Sequence, residues 1–161
     1  VNNMTIENIR DTGRNSARTV DVRVLAEKIQ KPSDTEAVVA ANVITAAESG
    51  TRFVMNVAAA KVSTLPAPAA GLEYWFYVGA TEPTGTHTIV TASSANIIVG
   101  NVSSPEDAAG SVATVTDADT ISLVASKAVH GDFVHVWSDG TNWYLNGHCK
   151  VQDGITTTQA G

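Results

Sequence analysis

From Asn42 onward, apolar and polar positions alternate in short runs separated by turn residues. Alternation with a period of two marks a strand with one buried face. Short strands are expected at Val43–Thr45, Arg52–Val57, Lys61–Leu65, Leu72–Val78, His87–Ala92, Asn96–Val102, Val112–Thr116, Thr120–Ala125, Phe133–Ser138 and Trp143–Cys149. Ala47–Gly50 reads as a turn, and Pro66-Ala67-Pro68 marks a loop or an edge, since proline cannot donate to a sheet ladder. Asp139-Gly140 lies between two β runs and is a strong hairpin signal, because both residues tolerate positive φ. Turn signals every eight to twelve residues predict an all-β, antiparallel sandwich or barrel-like body.

The first forty residues read differently. Arg10, Arg14 and Arg18 are spaced by four, as on one helical face, but Gly13 weakens a helix there. Residues 20–31 fit both a strand (Val20, Val22, Val24) and a helix (Val22, Leu25, Ala26, Ile29), with helix favoured by the Leu25–Lys28 run and the stop at Pro32. Ser33 to Glu36 has capping-box spacing and predicts a short helical restart. The expected organisation is an extended N-terminal arm with a short helix (1–41), an antiparallel β domain (42–152) and a polar C-terminal tail (153–161).

Composition narrows the function classes. Valine and threonine favour pleated, half-buried surfaces, and alanine with few leucines argues against a helical bundle. The formal charge of −6 argues against a nucleic-acid partner. No apolar run is long enough to span a membrane, and no basic-then-apolar block at the start predicts a secretory signal. The single Cys149 offers no internal disulfide. Charge is uneven: residues 1–31 hold six basic and four acidic residues, whereas 32–161 hold four and twelve. Arg10, Arg14, Arg18 and Arg23 are therefore candidate contacts between a basic arm and an acidic partner.

Catalytic and metal chemistry find little support. There is no G-x-S-x-G elbow, no HExxH and no P-loop, so no catalytic residue is assigned. The spacings of His87, His130, His135 and His148 do not converge, and His148 and Cys149 point to opposite faces of a strand. Asp117 and Asp119, with Glu106, Asp107 and Asp132, lack the loop pattern of a calcium site. No metal or cofactor is expected. In the last hairpin, Val134 and Val136 point one way with Trp143 as core anchor, and Phe133, His135 and Trp137 point the other. That second face is surplus apolar surface and is the candidate oligomer or partner interface.

Several segments resemble the small β modules of tailed-bacteriophage virion proteins, which occur as head decoration (cement) proteins and in fibre-like appendages. The matching features are Leu65–Gly71 (LPAPAAG) before an aromatic strand, the I-x-G strand Ile98–Gly100, the strand Thr120–Val124 (TISLV), and the terminal hairpin Gly131–Gly147 with its G-D…S-D-G-x-x-W-Y…G pattern. The resemblance spans about residues 43–148. It implies a non-enzymatic protein that binds the major capsid protein on the outer surface of an assembled head, as a homo-oligomer expected to be a homotrimer, after synthesis in the bacterial host cytoplasm. The alternative it leaves open is a tail or fibre module that binds a host-surface glycan; the aromatic set Tyr74–Tyr77, Trp137, Trp143 and Tyr144 could stack on sugar, but core plus subunit interface is the better reading of it, since at least half of Leu72–Val78 must face the core.

Overall fold

The structure, a computed structural model, describes residues 34–104 and 111–161. The chain divides at Pro32, and every described residue belongs to the unit Ser33–Gly161. The regular structure of the described chain is almost all strand: β1 (Thr35–Ala37), β2 (Asn42–Val43), β3 (Arg52–Met55), β4 (Val62–Thr64), β5 (Glu73–Val78), β6 (His87–Val90), β7 (Ile98–Ser104), β8 (Ser111–Ala118), β9 (Thr120–Leu123), β10 (Phe133–Ser138), β11 (Trp143–His148) and β12 (Ile155–Thr158). They form a seven-stranded sheet, β1-β3-β5-β10-β11-β7-β8, packed on a five-stranded sheet, β12-β9-β6-β4-β2. The expected sandwich is present.

Its connectivity is only half antiparallel. Strands β1 to β6 alternate between the two sheets, so each strand pairs in parallel with the one two places along: β1 with β3, β3 with β5, β2 with β4, β4 with β6. The chain winds as a flattened solenoid of three coils, and each crossover from one parallel strand to the next runs through the opposite sheet. Antiparallel pairing begins where β10 joins β5 and β9 joins β6. One further parallel pair, β7 with β11, completes the larger sheet.

Three expectations need correction. The predicted helical restart at Ser33–Glu36 is strand β1 from Thr35, since pairing with β3 satisfies its backbone. The capping-box chemistry occurs instead at Thr45–Glu48, where the Glu48 carboxylate accepts both the Thr45 N–H (2.7 Å) and its hydroxyl (2.6 Å) over a 3-10 turn. The polar tail also belongs to the body, because Ile155–Thr158 pairs with β9 and Ile155 is buried. The β unit therefore extends beyond 42–152 at both ends. The readings placed on residues 1–33, including the arm and its helix, lie outside the described residues.

Alternation along each strand builds the core. Phe53, Tyr74, Phe76, Ile89, Ile98, Ile121, Leu123, Val134, Val136 and Trp143 all point between the sheets and are fully buried. Phe53 and Phe76 stack at 5.2 Å, and Trp143 leans on Tyr74 at 5.8 Å. The Tyr74 hydroxyl donates to the Thr45 carbonyl at 2.9 Å, and burial first, then the Glu48 charge, pushes its pKa from 10.0 up to about 12. A folded-state pKa above the unfolded one means stability fully present below pH 10.0 and lost as pH rises towards about 12. The alkaline limb of a denaturation series should therefore fall between those values, and Tyr74→Phe should flatten it. An unchanged limb in that variant would assign the loss to another group.

Candidate functional site

The outward face of the seven-stranded sheet carries the residues left over from the core. Register places them in cross-strand rows. One row runs Arg52–Trp75–His135–Asn146–Asn101, a second runs Tyr77–Phe133–His148–Ser103, and a third runs Glu73–Trp137–Tyr144–Val99. Phe133, His135 and Trp137, the residues expected to form an interface, sit side by side on β10 at the centre of these rows.

Each row is held by ring contacts. Trp75 and His135 stack at 4.3 Å and 11°, and the Arg52 guanidinium lies over Trp75, 5.6 Å from its centroid. Trp137 stacks on Tyr144 at 4.3 Å and 15°, while Phe133 sits 5.9 Å from Tyr77 and 6.0 Å from His148. Such pairs add to strand pairing beyond the area they bury. They leave most of these side chains half-buried, with Trp137 the outlier at 44% exposed. The alternation in Glu73–Val78 contains this arrangement, with Trp75 and Tyr77 facing out and Tyr74 and Phe76 facing in. Trp75, Tyr77 and Tyr144 belong to the aromatic set that the sequence offers, whereas the places of Arg52 and His148 beside them need the pairing register.

The polar groups around the rings are mostly held in place. His135 Nε2 lies 3.7 Å from a Glu73 carboxylate oxygen, beyond hydrogen-bond range, and has no other partner among the described residues. Ser103 Oγ lies 3.0 Å from His148 Nδ1. At the end of the hairpin, the turn is a four-residue loop, 139–142, in which only Gly140 takes positive φ. Asp139 works through its side chain: Oδ1 accepts from the Thr141 and Asn142 N–H groups, and Oδ2 accepts from the Tyr144 hydroxyl at 2.9 Å. Those bonds, that from Asn142 first, lower the Asp139 pKa, and the same carboxylate raises that of Tyr144. The Tyr144 ring that supports Trp137 is thus tied to the turn.

The remaining candidates are structural. His87 is fully buried, accepting from the Lys61 N–H at Nδ1 and donating from Nε2 to the Val57 carbonyl; burial lowers its pKa. The Cys149 thiol faces the Ser103 carbonyl at 3.8 Å and is buried. Among the described residues, no group of three or more His, Cys, Asp or Glu side chains is placed to hold a metal ion. Arg10, Arg14, Arg18 and Arg23, and with them Glu106 and Asp107, lie outside the described residues. No protein-family model, no curated protein and no solved structure matches the chain.

Proposed function

We propose that this chain is a bacteriophage head decoration (cement) protein that binds the major capsid protein on the outer surface of the assembled head as a homo-oligomer, expected to be a trimer, and stabilises the shell without catalytic turnover. One observation carries the reading: a cluster of stacked aromatic rings, centred on Phe133, His135 and Trp137, turned away from the core of the seven-stranded sheet. Interface centres are enriched in Trp, Tyr, Phe and Arg, which supply the middle of these rows, while Glu73, Asn101, Asn146 and Ser103 lie toward their ends. With strands ~4.8 Å apart and ~20 Å long, the face offers on the order of 600 Å², short of the ~800 Å² each partner contributes to a standard interface. The basic arm supplies a second contact suited to an acidic capsomer, and tying several such contacts together in one oligomer raises avidity.

The glycan alternative needs free ring faces for sugars to stack on. Trp75 has one face under Arg52 and the other under His135, and Trp137 has one face on Tyr144. The same rings are well arranged to present edges to a protein surface.

Heads assembled without the protein provide the test. Trp137→Ala should weaken retention by about thirtyfold, the loss typical of a buried interface tryptophan, while circular dichroism and melting stay close to wild type because the ring touches only Tyr144 among its aromatic neighbours. Replacing Arg10, Arg14, Arg18 and Arg23 together should weaken retention mainly at low salt, since exposed charges are screened as salt rises. Retention unchanged by both variants, or binding to a glycan array that Trp137→Ala abolishes, sinks the reading.

A further inference from the structure

The two sheets end at four strands, and one of these edges differs from the others. Strands β1, β2 and β12 have three, two and four residues, whereas β8 has eight. Short edges, prolines, charges and bulges are how β proteins avoid pairing with other chains. Residues 111–116 (SVATVT) contain no proline and no charge. The irregularity in the β7–β8 ladder lies at residues 116–117, between the pairs Ile98↔Ala118 and Gly100↔Val115, and leaves 111–115 as the regular part of the edge. Val112 is 58% exposed, and Ala113 and Thr114 are exposed as well, so this part of the strand stands clear of the body on both faces. No strand among the described residues pairs with its outer edge.

We propose that β8 pairs edge to edge with β8 of a second copy, antiparallel about a two-fold axis at Thr114. Symmetry and charge together select this partner. About that axis Thr114 meets its own copy, Val112 meets position 116 and Ala113 meets position 115, each an uncharged β-branched or small pair suited to cross-strand contact. Asp117, which takes φ +55° at the irregularity, then lies at the opposite end of the paired stretch from its own copy, whereas a parallel pairing would set the two side by side as a like-charge pair. Main-chain hydrogen bonds supply the affinity, as in other strand additions. The pairing continues the seven-stranded sheet into a fourteen-stranded one and extends the aromatic face across both copies. It is independent of the capsid reading, and a two-fold contact does not close a trimer; in a three-fold oligomer it joins one ring to the next.

Light scattering after size exclusion, on the full chain, reads the pairing. The wild-type chain should gain a two-fold association step as concentration rises. Thr114→Cys should yield a disulfide-linked dimer on oxidation, because the native Cys149 is buried. Thr114→Lys places like charges at the axis and should weaken association by at least about tenfold, and mixing it with Thr114→Asp should restore it. A wild-type chain that stays without a two-fold step, a Thr114→Cys chain that remains unlinked, or association unaffected by Thr114→Lys each overturns the proposal. The first two together are the result expected if an N-terminal segment such as Val20–Val24 occupies the edge instead.

Discussion

Gly100→Ala should cost the fold more than any other single methyl added to the described chain. Gly100 sits in β7, opposite Leu145 of the parallel strand β11 and beside the register shift against β8. Its φ is +146°, and a Cβ there would lie 2.0 Å from the Leu145 carbonyl oxygen and 2.8 Å from that residue's backbone N and C. Backbone cannot rotate away as a side-chain tip does, so relief requires β7 to part from β11. Left-handed strain of ~1–3 kcal/mol adds to overpacking of similar size, for a loss of about 4 kcal/mol. That is a large part of the ~5–15 kcal/mol that holds a domain together. The thermal midpoint should fall by on the order of 15 °C. Gly50→Ala separates the two causes: φ is +90° there, but nothing lies within 4 Å of the added carbon, so only the strain of ~1–2 kcal/mol remains. Equal losses in the two variants would show that the close approach to Leu145 does not matter.

Gly100 also shows what the sequence carried and what it concealed. The Ile98–Gly100 pattern was visible as a motif, but its reason, the contact with Leu145, depends on a pairing between segments 45 residues apart. Phe133–Ser138 and Trp143–His148 were legible because a hairpin is local: alternation assigns the faces, and Asp139 and Gly140 mark the reversal. Phe133, His135 and Trp137 therefore stood out as surplus apolar surface. Trp75 stood out only as one of an aromatic set, and Arg52 not at all, since nothing in the local pattern identifies the strand beside β10. The same limit hid the solenoid winding of β1–β6. Strands β2 to β6 were placed within a few residues, yet each partner lies a full coil away, and antiparallel and parallel strands alternate alike. Ile155–Thr158 was misread for another reason. Threonine counts as polar in a hydropathy pattern, although its branched β-carbon suits a strand, and here it pairs with β9. The capping-box spacing occurs at both Ser33–Glu36 and Thr45–Glu48, and only tertiary pairing decided which would turn.

Asp132→Ala should produce the other large loss, by removing a buried acceptor rather than adding a clash. Asp132 is 0% exposed and immediately precedes β10. Oδ2 accepts from the Val129 N–H at 2.9 Å and Oδ1 from the Lys150 N–H at 3.0 Å, while its own carbonyl accepts from the Val78 N–H. One side chain thus ties the turn before β10 to the exit of β11, and its backbone ties both to the end of β5. Alanine leaves the Val129 and Lys150 N–H groups, both in part-buried bonds, without their acceptor, at ~1 kcal/mol or a little more each, so stability should drop by about 2–3 kcal/mol. Hydrogen exchange gives the local readout: the Val129 and Lys150 amides should lose protection first. Asp153→Ala is the contrast, because its pair with Lys127 at 3.3 Å is exposed on both sides and should be worth under ~1 kcal/mol. If the two aspartates cost the same, the carboxylate of Asp132 is not what fastens this corner. If the ranking holds, the consequence reaches the aromatic face, because the turn that Asp132 closes sets the start of β10. Phe133 is the next residue, and its contacts with Tyr77 and His148 depend on that start. On the proposed capsid-binding reading, retention on heads should then weaken in Asp132→Ala through a displaced Phe133 row, and less than in Trp137→Ala, whose row is anchored by Asp139 at the opposite end of the strand.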